Sequence, residues 1–69
     1  MSELLRLERF IKKVSQGQLA SLAGVGGQHT ISRIERGVRK PQPGEREAIA
    51  RALGVSPADL WPDGEGRHD

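Results

Sequence analysis

Apolar residues recur at helical spacing from the start of the chain. Leu4, Leu7, Ile11 and Val14 fall three and four apart, which places them on one face of a helix running to about Lys13, with Phe10 widening the stripe. That stripe is expected to face the core. Ser15 is placed to cap a second helix, because its hydroxyl can accept from the unpaired amides of the next turn, and Leu19, Ala20, Leu22 and Ala23 supply that helix's apolar side. The run Gly24-Val25-Gly26-Gly27 stops it: three glycines in four residues hold no helix and accept positive φ, so a tight turn follows with Val25 as its buried anchor.

From Gln28 the pattern is helical again. Ile31 and Ile34 face inward, and Gln28, His29, Ser32, Arg33 and Arg36 face outward until Gly37 closes the helix. Val38 to Pro41 reads as a loop, since the residue before a proline is pushed out of the helical region. A fourth helix begins at Gln42-Pro43, places Glu45 and Glu47 near the positive end of its dipole, buries Ile49, Ala52 and Leu53, and ends at Gly54. Ser56-Pro57-Ala58-Asp59 starts a last short helix carrying Leu60 and Trp61, which Pro62 stops. No segment alternates with the period of a strand, so the expected fold is all-α, a compact five-helix bundle.

Length and composition narrow what such a bundle does. Sixty-nine residues suffice for one domain, expected over residues 1–62, while residues 63–69 hold no apolar anchor and are expected to form a disordered acidic tail. There is no cysteine, and His29 and His68 are too few for a structural zinc, so no metal or other cofactor is expected. Asp63, Glu65, His68 and Asp69 sit in a glycine-rich stretch that cannot fix ligand geometry. The first ten residues interleave charged and apolar side chains, unlike a signal peptide or membrane span, and a cytoplasmic protein with no membrane partner is expected. With Phe10 and Trp61 the only aromatics, the chain lacks the rings on which single-stranded nucleic acids stack. Ser15 and Ser32 have no histidine and orienting acid at a workable spacing, so no enzyme is expected.

The net charge of +2 is unevenly spread. Residues 33–40 carry four basic groups and one acid, and residues 59–69 four acids and one arginine. Two short helices joined by a glycine turn, the second polar outside and followed by a basic loop, describe a helix-turn-helix reader of duplex DNA.

The runs SQGQLASLAGV, TISRIERG and KPQPGEREAIARALGVSPADLW resemble the lambda-repressor-like family, also called the XRE or Cro/repressor type of helix-turn-helix protein, over roughly residues 4 to 61. The resemblance implies a five-helix DNA-binding domain, usually a homodimer on an inverted repeat. It implies that Gln16 bonds a DNA phosphate, that Gln28, His29, Ser32 and Arg33 read bases, and that Arg36, Arg39 and Lys40 lie against phosphates. Glutamine suits adenine's N6 and N7 edge and arginine guanine's O6 and N7. Arg9 and Glu35 match a partly buried ion pair, with Arg6 the alternative partner for Glu35. Leu60 and Trp61 match a region that in small relatives forms the dimer seam, and Trp61 reads equally as a core lid. Two departures stand out: between Gly24 and Ile31 the chain has one residue more than the usual spacing, an extra glycine at Gly26 or Gly27, and Glu8 lies where many relatives place an apolar residue.

The resulting expectation is a sequence-specific transcriptional regulator, a repressor, bound to double-stranded DNA as a dimer with no small-molecule effector. The alternative is a protein-interaction module, an antitoxin or adaptor whose helices chiefly bind a partner such as a toxin.

Overall fold

A computed structural model of the chain describes residues 3–62. The expected acidic tail over residues 63–69 lies outside the described residues. Five helices follow one another: α1 (Glu3–Ile11), α2 (Gln16–Ala23), α3 (Gln28–Glu35), α4 (Pro43–Leu53) and α5 (Pro57–Leu60). Among the described residues there is no strand, and no helix is long and apolar enough to cross a membrane.

Local chemistry sets most of the boundaries. Ser15 Oγ accepts from the Gln18 amide at 3.0 Å, and Gln18 Oε1 accepts from the Ser15 amide at 2.9 Å, a reciprocal cap that pins the start of α2. Glu45 and Asp59 reach back in the same way, accepting from the amides of Gln42 and Ser56 at 3.0 and 3.1 Å to open α4 and α5. The α2 helix ends at Gly24 in the left-handed region (φ 69°), where its amide meets the last carbonyls of the helix.

Leu5, Leu19, Ile31, Ile34 and Ile49 are fully buried, with Ala20, Val25, Ala50, Leu53, Leu60 and Trp61 around them. α2 sits at the centre of this core, packing on α3 and α4, while α1 lies across α3 and α5. Val14, Ala23, Ala48, Ala52 and Val55 close its margins.

The first helix is rotated from its expected orientation and stops at Ile11 rather than near Lys13. Leu5, not the Leu4–Leu7–Ile11 row, enters the core; Leu7, Phe10 and Ile11 are exposed, and Phe10 keeps 78% of its surface in water. The cause is polar. Arg9, one turn beyond Leu5, must point inward to meet the buried Glu35, and Lys12, on the same side, donates to the Leu53 carbonyl at 2.9 Å. Leu22, also expected inside, is exposed on α2.

The C-terminal end completes the core. Leu60 and Trp61, expected at a dimer seam, are 2% and 3% exposed within the single chain. Both are therefore core residues of the single chain.

Candidate nucleic-acid interface

Glu35 is the only buried charged residue among the described residues, and the interface is organised around it. Its carboxylate accepts from Arg9 Nε at 2.7 Å (Oε2), from Arg9 Nη2 at 3.3 Å (Oε1) and from Gln16 Nε2 at 3.0 Å (Oε1). Arg9 Nη1 also donates to the Val14 carbonyl at 3.0 Å. One carboxylate at the end of α3 thereby fixes α1, the loop after it and the start of α2. A buried charge is tolerable only when paired and hydrogen-bonded in this way. Arg9, rather than Arg6, is the partner.

Around this pair opens a cleft lined by Arg6, Arg9, Gln16, Ser32, Glu35 and Arg36. Three guanidinium groups against one carboxylate leave it positive. The sequence offers Arg6 only as a rival partner for Glu35; the structure makes it a cation lining the cleft, which depends on the rotation of α1. Gln16, expected to meet a phosphate, has one amide hydrogen committed to Glu35 and keeps its second.

The outer face of α3 carries Gln28, His29, Arg33 and Arg36, all exposed, and Ser32, half-buried. No acid interrupts it, because Glu35, the helix's one carboxylate, points inward. The face is steadied at both ends: the Thr30 amide donates to the Gly27 carbonyl at 2.9 Å at the start, and the Val38 amide to the Arg33 carbonyl at 3.0 Å past the finish. Gln28 packs close to Gly17 in α2. The glycine run ends before the helix begins. Gly26 takes φ 46°, and a Cβ there would sit 2.5 Å from Thr30 Oγ1, so a side chain at this position is strained and displaces Thr30; Gly27 is extended and occupies the cap position of α3.

Arg39 and Lys40, expected together as cations of the loop, differ in environment. Lys40 is exposed. Arg39 is half-buried and forked onto Glu45, with Nη1 to Oε1 at 2.8 Å and Nη2 to Oε2 at 2.9 Å. The bidentate bond raises the Arg39 pKa above its ordinary value. The same bond lowers that of Glu45, against partial burial and with help from the Gln42 amide. The sequence marks Glu45 only as a dipole partner; its role as a clamp on Arg39 depends on the loop folding back onto α4. Lys12, which ties α1 to the end of α4, was likewise not singled out, since nothing in the sequence marks a lysine that reaches a distant carbonyl.

Among the described residues no group of histidine, cysteine or acidic side chains is arranged to hold a metal ion. Compared with known families, residues 1–61 match the family described as helix-turn-helix domain. No curated protein and no solved structure gives a significant match.

Proposed function

The chain belongs to the helix-turn-helix domain family, and from that premise we propose that it is a sequence-specific regulator of transcription that inserts α3 into the major groove of duplex DNA. The observation that carries this reading is the acid-free outer face of α3, with Gln28, His29 and Arg33 exposed and the helix held from behind by the buried Glu35. In this reading Gln28, His29, Ser32 and Arg33 meet base edges. Gln16, Arg36, Arg39 and Lys40 meet phosphates, with Arg6 added from α1. Arg39 reaches a phosphate only by sharing or leaving Glu45, so it contributes less than Lys40. The protein acts in the cytoplasm as a dimer on an inverted repeat, with half-sites about one helical turn (~34 Å) apart, and represses the promoter it covers.

Enrichment from a random duplex library at moderate salt tests this directly. A recovered palindrome supports the reading, and a library that stays random overturns it.

A second reading has one observation in its favour. The exposed Leu4, Leu7, Phe10 and Ile11 of α1 form an apolar surface of the kind a protein partner covers. An adaptor or antitoxin would use it for a different protein, such as a toxin. The surface lies on α1 and leaves the polar face of α3 unexplained, which is why DNA reading is preferred.

A further inference from the structure

The outward row of α1 is unusual for a chain this small. Leu4, Leu7, Phe10 and Ile11 are 42%, 52%, 78% and 57% exposed, so a nine-residue helix leaves the equivalent of more than two whole apolar side chains in water. Residues 63–69 carry no apolar side chain with which this sequence could cover them. We infer that this face is where two copies of the chain meet, α1 against α1, antiparallel about a two-fold axis near Leu7.

Four features select a second copy as the occupant. The row Leu4, Leu7, Ile11 has the three-and-four spacing of a helix–helix seam, which a like helix fits by interdigitation. Charge fixes the direction: Glu3 lies in the first turn and the exposed Lys13 just beyond the last, so antiparallel pairing sets acid beside base at both ends and opposes the helix dipoles. A parallel pair would stack like charges. Complete burial of that row in both copies would hide at most about 1,000 Å², the low end for a specific interface, which makes the dimer weak and concentration-dependent. The two-fold symmetry is also that of an inverted repeat. The inference rests on the dimeric part of the proposed function and deepens it, and it is tested without DNA.

Sedimentation of the full chain over roughly 10 to 500 μM reads the equilibrium. A reversible monomer–dimer transition is expected. Leu7→Glu should weaken it by at least about ten-fold while helicity by circular dichroism is unchanged, because Leu7 is half-exposed in the monomer. Leu22→Glu, a like change at an exposed leucine on α2, should leave it intact. Glu3→Lys should weaken association, and the double change Glu3→Lys with Lys13→Glu should restore it. As the chain has no cysteine, mixed Leu4→Cys and Ile11→Cys chains should oxidise to the mixed disulfide in preference to either self-pair. A wild type that stays monomeric throughout, or a dimer indifferent to Leu7→Glu, overturns the inference. A monomer that still enriches a single half-site removes the α1 seam and spares the DNA reading; a Leu7-dependent dimer that binds no duplex does the reverse.

Discussion

Glu35 shows most clearly how one side chain decides the placement of others. Its carboxylate is buried and, among the described residues, is hydrogen-bonded by Arg9 and Gln16, so removing Arg9 leaves a buried charge without its ion-pair partner. Arg9→Ala is predicted to destabilise the fold by about 3 kcal/mol in urea unfolding, whereas the double change Arg9→Met with Glu35→Leu costs less than the single one. Equal losses would show that the pair acts through packing rather than charge. Lys13 gives the opposite expectation. It is the one non-glycine residue at positive φ (57°) among the described residues, with its side chain exposed, and L-residues are disfavoured there. Lys13→Gly should therefore stabilise by up to about 1 kcal/mol and raise Tm by a few degrees. An unchanged or lower Tm would mean that glycine's extra freedom in the unfolded chain offsets the relief.

At the level of elements, the turn between α2 and α3 is set by its glycines. Gly26 combines positive φ with a 2.5 Å approach to Thr30, so Gly26→Ala is predicted to cost about 1–3 kcal/mol. Gly27→Ser, in open space at the cap of α3, should be neutral or slightly stabilising by thermal melting. If Gly27→Ser is the damaging change, the additional residue has been placed one position off. The loop before α4 behaves differently because it is held by charge. Glu45 has its pKa lowered chiefly by Arg39, so its contribution is fully present above the pKa of the unfolded carboxylate and is lost as pH falls through its lower folded value. Glu45→Gln should lower Tm at neutral pH, and the gap to wild type should narrow as pH falls below the ordinary carboxylate range and close once Glu45 is protonated in the folded state. A gap that persists in acid would assign the effect to the helix cap rather than to the ion pair. The same substitution frees Arg39 and should tighten binding to any duplex.

Across the whole molecule, local signals were legible and long-range polar ones were not. Ser15, Gly24, Gln42-Pro43 and Ser56-Pro57 mark where helices start or stop, because caps and turns are chemistry between near neighbours, and Ile31 and Ile34 declare the inner side of α3. The orientation of α1 was hidden. Its sequence contains two competing rows, and the apolar one loses because a buried carboxylate twenty-six positions away requires Arg9 inside. Burial of Trp61 and the Arg39–Glu45 clamp likewise depend on contacts that hydropathy does not encode. The outer face of α3 needed only helical periodicity, and it carries the central claim that Arg33 reads a base while Lys40 holds the backbone. The most direct test measures binding to the selected duplex and to a scrambled one across a range of salt, for wild type, Arg33→Ala and Lys40→Ala. Arg33→Ala should lose about 1–3 kcal/mol on the selected duplex alone and relax one base position; Lys40→Ala should weaken both duplexes and reduce the slope of log affinity against log salt by about one. If Arg33→Ala weakens both duplexes equally and leaves the preferred sequence intact, α3 does not read the groove as described.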